Sequence, residues 1–406
     1  MTIPSLPKLP LPSPLVGSET NSFTEYTVTQ RMPGIARRVI VENNFPADIN
    51  ERLEKLASEL SSQGNVPPLG DDCGADFPEW EKYLEPYQGK RWIDVPWFFA
   101  ETYFYRLILE ITNYFRDGNF YEVDVFAFQK NQGLEGSFNS IISLCSQLNK
   151  WLVEPSKIAL TALIYFALWG NRVDLSLWSA TESERSHFDI DSQIAHILVN
   201  DSPQVIEFLT SDKKGRIDFV IDNSGFELVC DLCLVDYLLG SGITNEVHLH
   251  LKPHPTFVSD AMIKDVYHTI EFFLASQNQE LIVFAQRLQE YLRLGRLLLR
   301  EDYFWTSPLA FWEIPKPLKN EISNADLLFV KGDANYRKLL GDRHWDFTTD
   351  ISDIICYLPI PMVALRTLKS EVAAGIEPEV VERLQESDPS WLTNGQWGLI
   401  QFVPRK

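Results

Sequence analysis

The chain has 406 residues, 45% hydrophobic and 12% aromatic: enough apolar material for packed structure, and too much length for one ordinary core. Lys and Arg number 36 against 56 Asp and Glu, a net charge of −20 that repels a phosphate backbone and argues against a nucleic-acid partner. Five cysteines are too few and too odd for a disulfide framework, and no apolar stretch reaches the roughly 20 residues of a membrane helix, so a soluble, cytoplasmic protein without a membrane partner is expected.

Residues 1–24 read as a flexible Pro-rich arm. Pro4, Pro7, Pro10, Pro12 and Pro14 remove backbone donors, and the stretch lacks the apolar core of a signal peptide. From 25 to 205 the pattern is that of a helical domain. Asp48–Leu60 carries Leu53, Leu56 and Leu60 at helical spacing, with Asp48 as a candidate N-cap. Trp97–Phe115, Phe138–Val153 and Lys157–Trp169 read as further helices. From 206 to 406 short apolar runs alternate with amphipathic segments. Ile217–Ile221, Glu246–Leu251, Leu281–Phe284, Leu327–Val330 and Met362–Leu365 are the expected strands. Such alternation predicts an α/β domain of Rossmann-like, three-layer form, with a mainly parallel sheet and helices on both faces. Ligands bind beyond the carboxyl ends of such strands, so residues just after each run are expected to converge.

Asp222 and Asn223 follow the first run, ahead of Ser224-Gly225-Phe226-Glu227 and a helical pattern. A carboxylate and an amide oxygen suit a hard divalent cation, and a helix N-terminus favours phosphate. The same residues make an ordinary capped turn, and from this segment alone the two readings weigh equally. Asp260 is either a second carboxylate ligand or the cap of the next helix. His248, His250 and His254 find no further partner at a zinc spacing and read as sheet-face or loop histidines. Lys331, beside Gly332, is placed to neutralise a phosphate oxygen or to form an exposed basic turn. Arg366-Thr367-Leu368-Lys369 is a second basic strand end. Cys230 and Cys233 fall inside a helical pattern and read as small buried residues.

Taken in order, these motifs resemble the metal-dependent damage-control phosphatases, and within them the subfamily (III) marked by Arg-Thr-x-Lys near the C-terminus. The matching pieces are Asp222-Asn-Ser-Gly-Phe-Glu227, the stretch Lys252–Asp260, Lys331-Gly-Asp-Ala-Asn-Tyr-Arg-Lys338 and Arg366-Thr-Leu-Lys369, with Trp97–Arg106 and Leu168–Ser176 upstream. The resemblance implies that Asp222, Asn223 and Asp260 hold a divalent metal, Mn²⁺ first, with Mg²⁺, Co²⁺ or Ni²⁺ as alternatives. It implies that Lys331 lies on the phosphate side and that Glu227, Asp333, Asn335, Tyr336, Arg337 and Lys369 surround the substrate. Asn171 and Asp174 are expected to line the same cleft. The implied substrate is a small phosphorylated metabolite, a sugar phosphate such as fructose 1-phosphate. Ala334 stands where relatives often carry leucine. Either a water or Asp222 itself serves as nucleophile, with water preferred. The alternative activity is S-adenosylmethionine-dependent methyl transfer to protein carboxyl (glutamate) groups, although Ser224-Gly225 is not a Gly-rich cofactor turn. A non-catalytic binding protein is the third reading.

Overall fold

β-Branched and large apolar residues concentrate in the runs that become strands, and among the described residues seven strands form one sheet. The computed structural model describes residues 5–170 and 194–405. The strands are β1 (Ile197–Asn200), β2 (Lys214–Val220), β3 (Thr244–Leu251), β4 (Leu297–Glu301), β5 (Leu327–Lys331), β6 (Met362–Thr367) and β7 (Gly398–Val403). Their order is β1-β7-β6-β5-β2-β3-β4. All neighbours are parallel except β6 and β7. From β2 the chain winds outward to β3 and β4, then returns to β5 and β6 on the other side. The winding direction therefore reverses between β2 and β5, which marks the crevice where such sheets bind ligands.

The helices used below are α1 (Met32–Glu42), α2 (Ala47–Ser61), α3 (Phe77–Leu84), α4 (Trp97–Ile111), α5 (Ala127–Glu135), α6 (Phe138–Val153), α7 (Lys157–Trp169), α8 (Ser202–Ser211), α9 (Phe226–Gly240), α10 (Ile263–Leu274), α11 (Gln279–Arg293), α12 (Lys316–Ile322), α13 (Asp333–Leu340) and α14 (Pro378–Ser387). Side-chain alternation along the strands divides the interior in two. Ile217, Phe219 and Ile221, with Leu327 and Phe329, face a core built from α6 to α11. Val220, Leu328 and Val330 face the other way, into a core shared with α1 to α4, α12 and α13. The three-layer α/β form is the one the alternating pattern predicts, and the N-terminal helices supply much of one of its outer layers.

Four of the five expected strands form; the fifth is a correction. Leu281–Phe284 lies inside α11, where Leu281, Phe284, Ala285, Leu288 and Tyr291 make one buried helical stripe. Asn278 caps that helix, its Oδ1 accepting from Glu280 N (3.0 Å) and Leu281 N (3.3 Å). A four-residue apolar run does not define its own period, and here the longer helical repeat wins. The fourth strand comes later, at Leu297–Glu301. β1 and β7 are likewise not among the expected strands: β1 has four residues, and Gly398 and Gln401 interrupt the apolar run of β7. α2 forms as predicted, but Pro46 rather than Asp48 holds the N-cap position. The first residues run along the body: Lys8 Nζ pairs with Asp353 at 2.6 Å, Pro14 bridges Arg343, and Leu15 is buried.

A buried charge lock holds the helical layer. Arg106 on α4 is fully enclosed and binds Asp72 (2.6 Å) and Asp76 (2.9 Å), with the Phe115 ring 4.5 Å from the guanidinium carbon. Burial pushes the Asp76 carboxyl up, but His254 and Arg106 outweigh it and hold it down to about 2. A depressed carboxyl contributes stability that is complete above its ordinary 3.8 and is lost as the pH falls toward 2. The contribution is on the order of 2 kcal/mol. Arg106→Met leaves two carboxylates buried without their cation and is expected to cost about 3–5 kcal/mol at neutral pH. Melting curves from pH 8 to 4 check this. The variant should gain stability on acidification where the parent does not.

Candidate active site at the carboxyl edge of the sheet

The loops leaving β2 and β3 are zipped together by their backbones. Ala261 N donates to Asp222 O (2.7 Å), Ser224 N to Ser259 O (2.7 Å) and Lys252 N to Ala261 O (3.0 Å). This pairing brings Asp222, Asn223 and Asp260 to one place, at the switch point between β2 and β5. The β5 side contributes Gly332, with φ +80°; a Cβ on it would overlap the Asp222 carboxyl group. Glycine is needed there for the left-handed backbone and for the close approach.

Asp222 and Asp260 are both buried. Asn223 Nδ2 donates to Asp222 Oδ2 (2.8 Å) and to Glu227 Oε2 (3.0 Å), while its Oδ1 accepts from Ser259 Oγ (2.5 Å). Burial, and then Asp260 and Glu227, push the Asp222 carboxyl well above the usual range, against Lys252 and Lys369. Burial pushes Asp260 up to about 6, against Lys252 and Lys130. Asp260 Oδ2 has no hydrogen-bond donor among the described residues, and the Lys252 ammonium stands 3.5 Å from it.

Beside these acids lies a cleft of about 320 Å³, walled by Asn223, Ser224, Gly225, Phe226 and Glu227, by Lys130 and Gly133 of α5, by the end of α7, and by Thr367 and Lys369. Lys369 is exposed there. Its loop is shaped by Asp333, whose Oδ1 accepts from Arg366 Nε (2.9 Å), Lys369 N (3.1 Å) and Ser370 Oγ (3.0 Å). Arg366 is fully buried, 4.3 Å over the Tyr336 ring.

The other expected residues sit as supports. Lys331 Nζ pairs with Asp231 of α9 at 3.1 Å and donates to the Ala167 carbonyl. Asn335 accepts from Lys252 Nζ (2.8 Å) and donates to Ile221 O (3.1 Å), tying α13 to β2. Tyr336 Oη donates to Gln401 (2.9 Å). Arg337 is enclosed by Glu101, Asp342 (2.7 Å) and the Trp97 ring (3.6 Å). Asn171 and Asp174 lie outside the described residues. The histidines are engaged separately: His248 with Glu246, His250 with Asp218 (2.9 Å), and His254 with Asp76 (3.7 Å). Cys230 and Cys233 are buried in α9. Lys252 and Ser259 lie in the Lys252–Asp260 stretch but carry no individual role in the sequence reading, and Lys130 is not singled out there. Lys252 had a usable signal, since it directly follows a strand; Lys130 had none.

Among the described residues no three His, Cys, Asp or Glu side chains gather as a metal cage. What gathers is two buried carboxylates and one amide, and an oxygen-rich set of this kind suits a hard divalent ion. The fit rests on the Asp260 oxygen, which accepts no hydrogen bond among the described residues, and on mutual repulsion among Asp222, Asp260 and Glu227, which a cation would relieve.

A doubly wound sheet with acids, a helix N-terminus and a lysine around its switch-point crevice places this chain among the α/β proteins whose ligands bind at that crevice. Residues 27–384 match the family described as the damage-control phosphatase ARMT1-like domain. Damage-control phosphatase ARMT1 of Mus musculus is 34% identical over 438 aligned residues, covering 96% of this chain and 98% of the relative. The Homo sapiens protein of the same name is 33% identical, covering 97% and 98%. That of Danio rerio is 30% identical, covering 96% and 97%. A solved DUF89 family protein from Pyrococcus horikoshii covers 94% of this chain and 98% of its own, at 14% identity and a TM-score of 0.48. The chain belongs to the damage-control phosphatase family. No described helix is long and apolar enough to cross a membrane.

Proposed function

We propose that this protein is a metal-dependent phosphatase that hydrolyses phosphomonoesters of small metabolites, sugar phosphates such as fructose 1-phosphate among them, in the cytoplasm. One observation carries the reading: Asp222 and Asp260 are both buried at the switch point, and Asp260 Oδ2 accepts no hydrogen bond among the described residues. Asp222, Asp260 and Asn223 would hold the cation, with Mn²⁺ the first choice and Mg²⁺, Co²⁺ or Ni²⁺ as alternatives. Such an ion, when bound, polarises a phosphoryl group and acidifies water. The N-terminal end of α9 borders the cleft at Gly225 and Phe226, and its dipole favours the phosphate. Lys369 offers its ammonium to the same phosphate, and Glu227 accepts from substrate hydroxyls. Lys331, through Asp231, fixes α9 beneath them. Asp222 is packed on Gly332 and accepts from Asn223, which supports a holding role and a water as nucleophile. Leu168 and Trp169 form an apolar wall that limits water. No observation favours methyl transfer, and the family's description names a phosphatase.

The test is phosphate release from a panel of sugar phosphates by metal-stripped protein, with Mn²⁺ or Mg²⁺ added back. Turnover that appears only with the cation is expected; turnover indifferent to chelator, or none with any phosphomonoester, contradicts the reading. Lys369→Met is expected to lower kcat/KM by about ten- to a hundredfold, mostly through KM, with the melting temperature unchanged.

A further inference from the structure

The loop that delivers Asp260 is strained. Phe257 and Val258 are consecutive residues with φ +46° and +67°. The left-handed region is unusual for a bulky residue and more so for a β-branched one. Two such residues in sequence persist only where surrounding contacts over-determine them. Two contacts from the N-terminal layer meet this loop. The Phe257 ring packs 5.2 Å from Tyr105 and 6.0 Å from Phe98, both on α4. Lys130 of α5 is buried, with Nζ 2.8 Å from Asp265 Oδ2 and 3.0 Å from Asp124 Oδ2. The same Asp265 oxygen accepts from Met262 N at 2.8 Å, two residues past Asp260. Asp124 in turn accepts from Phe126 N (3.0 Å), and Lys264 Nζ lies 3.6 Å from it. Lys130 borders the cleft, yet its ammonium donates to Asp265 and pairs with Asp124, held between two carboxylates.

We propose that Lys130 is a positioning residue: it clamps the strained 256–262 loop through Asp265 and the Met262 amide, and so holds Asp260 where a divalent cation is bound. The inference rests on the cation role proposed for Asp222, Asn223 and Asp260. It makes the helical layer a working part of the site, because the clamp spans 135 residues of sequence. Supporting contacts of this kind change metal affinity by about ten- to a hundredfold when removed.

The test measures Mn²⁺ binding to the full-length protein by calorimetry, without substrate, at a temperature where every variant is folded by circular dichroism. Lys130→Met is expected to bind Mn²⁺ about tenfold more weakly or worse, with faster amide exchange over 256–262; Lys130→Arg should stay within about threefold of the parent. Should Lys130→Met fail to fold, Asp265→Asn, which keeps an acceptor for Met262, is held to the same criterion. A parent that binds Mn²⁺ while the variant binds equally well overturns the clamp alone. A parent that binds no divalent cation overturns the cation reading and the clamp with it.

Discussion

Replacing Asp222 by asparagine should make the metal-free protein more stable while removing at least about a hundredfold of its phosphatase activity. The side chain is buried, and burial, Asp260 and Glu227 all work against its charge. Asparagine keeps the volume and can still accept from Asn223, but it brings no charge. The expected gain is roughly 1–2 kcal/mol. Its pH dependence has a definite sign. A carboxyl raised by folding is penalised only where the unfolded chain would ionise it, so the gain is small near pH 4 and grows as the pH rises. Saturating Mn²⁺ should erase or invert the difference, because the cation binds the folded parent more tightly than the variant. Melting temperatures at pH 5 and 8, with and without Mn²⁺, give all four values. A variant that is less stable than the metal-free parent at pH 8 would show that Asp222 is a structural cap rather than a strained ligand.

Gly332→Ala is the second large effect. At φ +80° an alanine is disfavoured whatever surrounds it, and its methyl group would overlap the Asp222 carboxyl. Asp222 or the start of α13 must move, and a displacement of order 1 Å at a reacting centre costs about a hundredfold in rate. A stability loss of about 1–3 kcal/mol should accompany it. Gly341→Ala is the control, because it also has positive φ (+70°) and meets the Trp312 ring. That variant should lose stability and keep its kcat once folded. Equal kcat losses in both variants would remove the special claim for Gly332.

The strand-end logic made the meeting of three candidate residues legible. Asp222, Asn223 and Asp260 each follow a strand whose apolar run is plain in the sequence, and parallel topology carries such residues to one edge. The roles within Asp333–Arg337 were not legible. These residues are consecutive on a helix, so each step turns about 100° and points at a different neighbour. Asp333 reaches the Arg366 loop, Asn335 reaches Lys252 and β2, and Arg337 reaches Glu101 on α4. Lys331 ends β5 and is met by Asp231, a buried acid that an apolar helical pattern conceals. Burial pushes that acid up to about 7 in spite of the lysine. Lys130 left no trace because both its partners are remote or unremarkable in the sequence. The misplaced strand at Leu281–Phe284 has the same root: a local pattern read without the helical stripe that decided it.

Asp222, Asn223 and Asp260 are proposed to form a cation site at the β2–β5 switch point. Anomalous diffraction from crystals soaked in Mn²⁺ tests it most directly. The prediction is one strong peak within about 2.0–2.4 Å of a carboxylate oxygen from each of Asp222 and Asp260. A peak at His248 or His250 instead, or none at the switch point under saturating Mn²⁺, would contradict it.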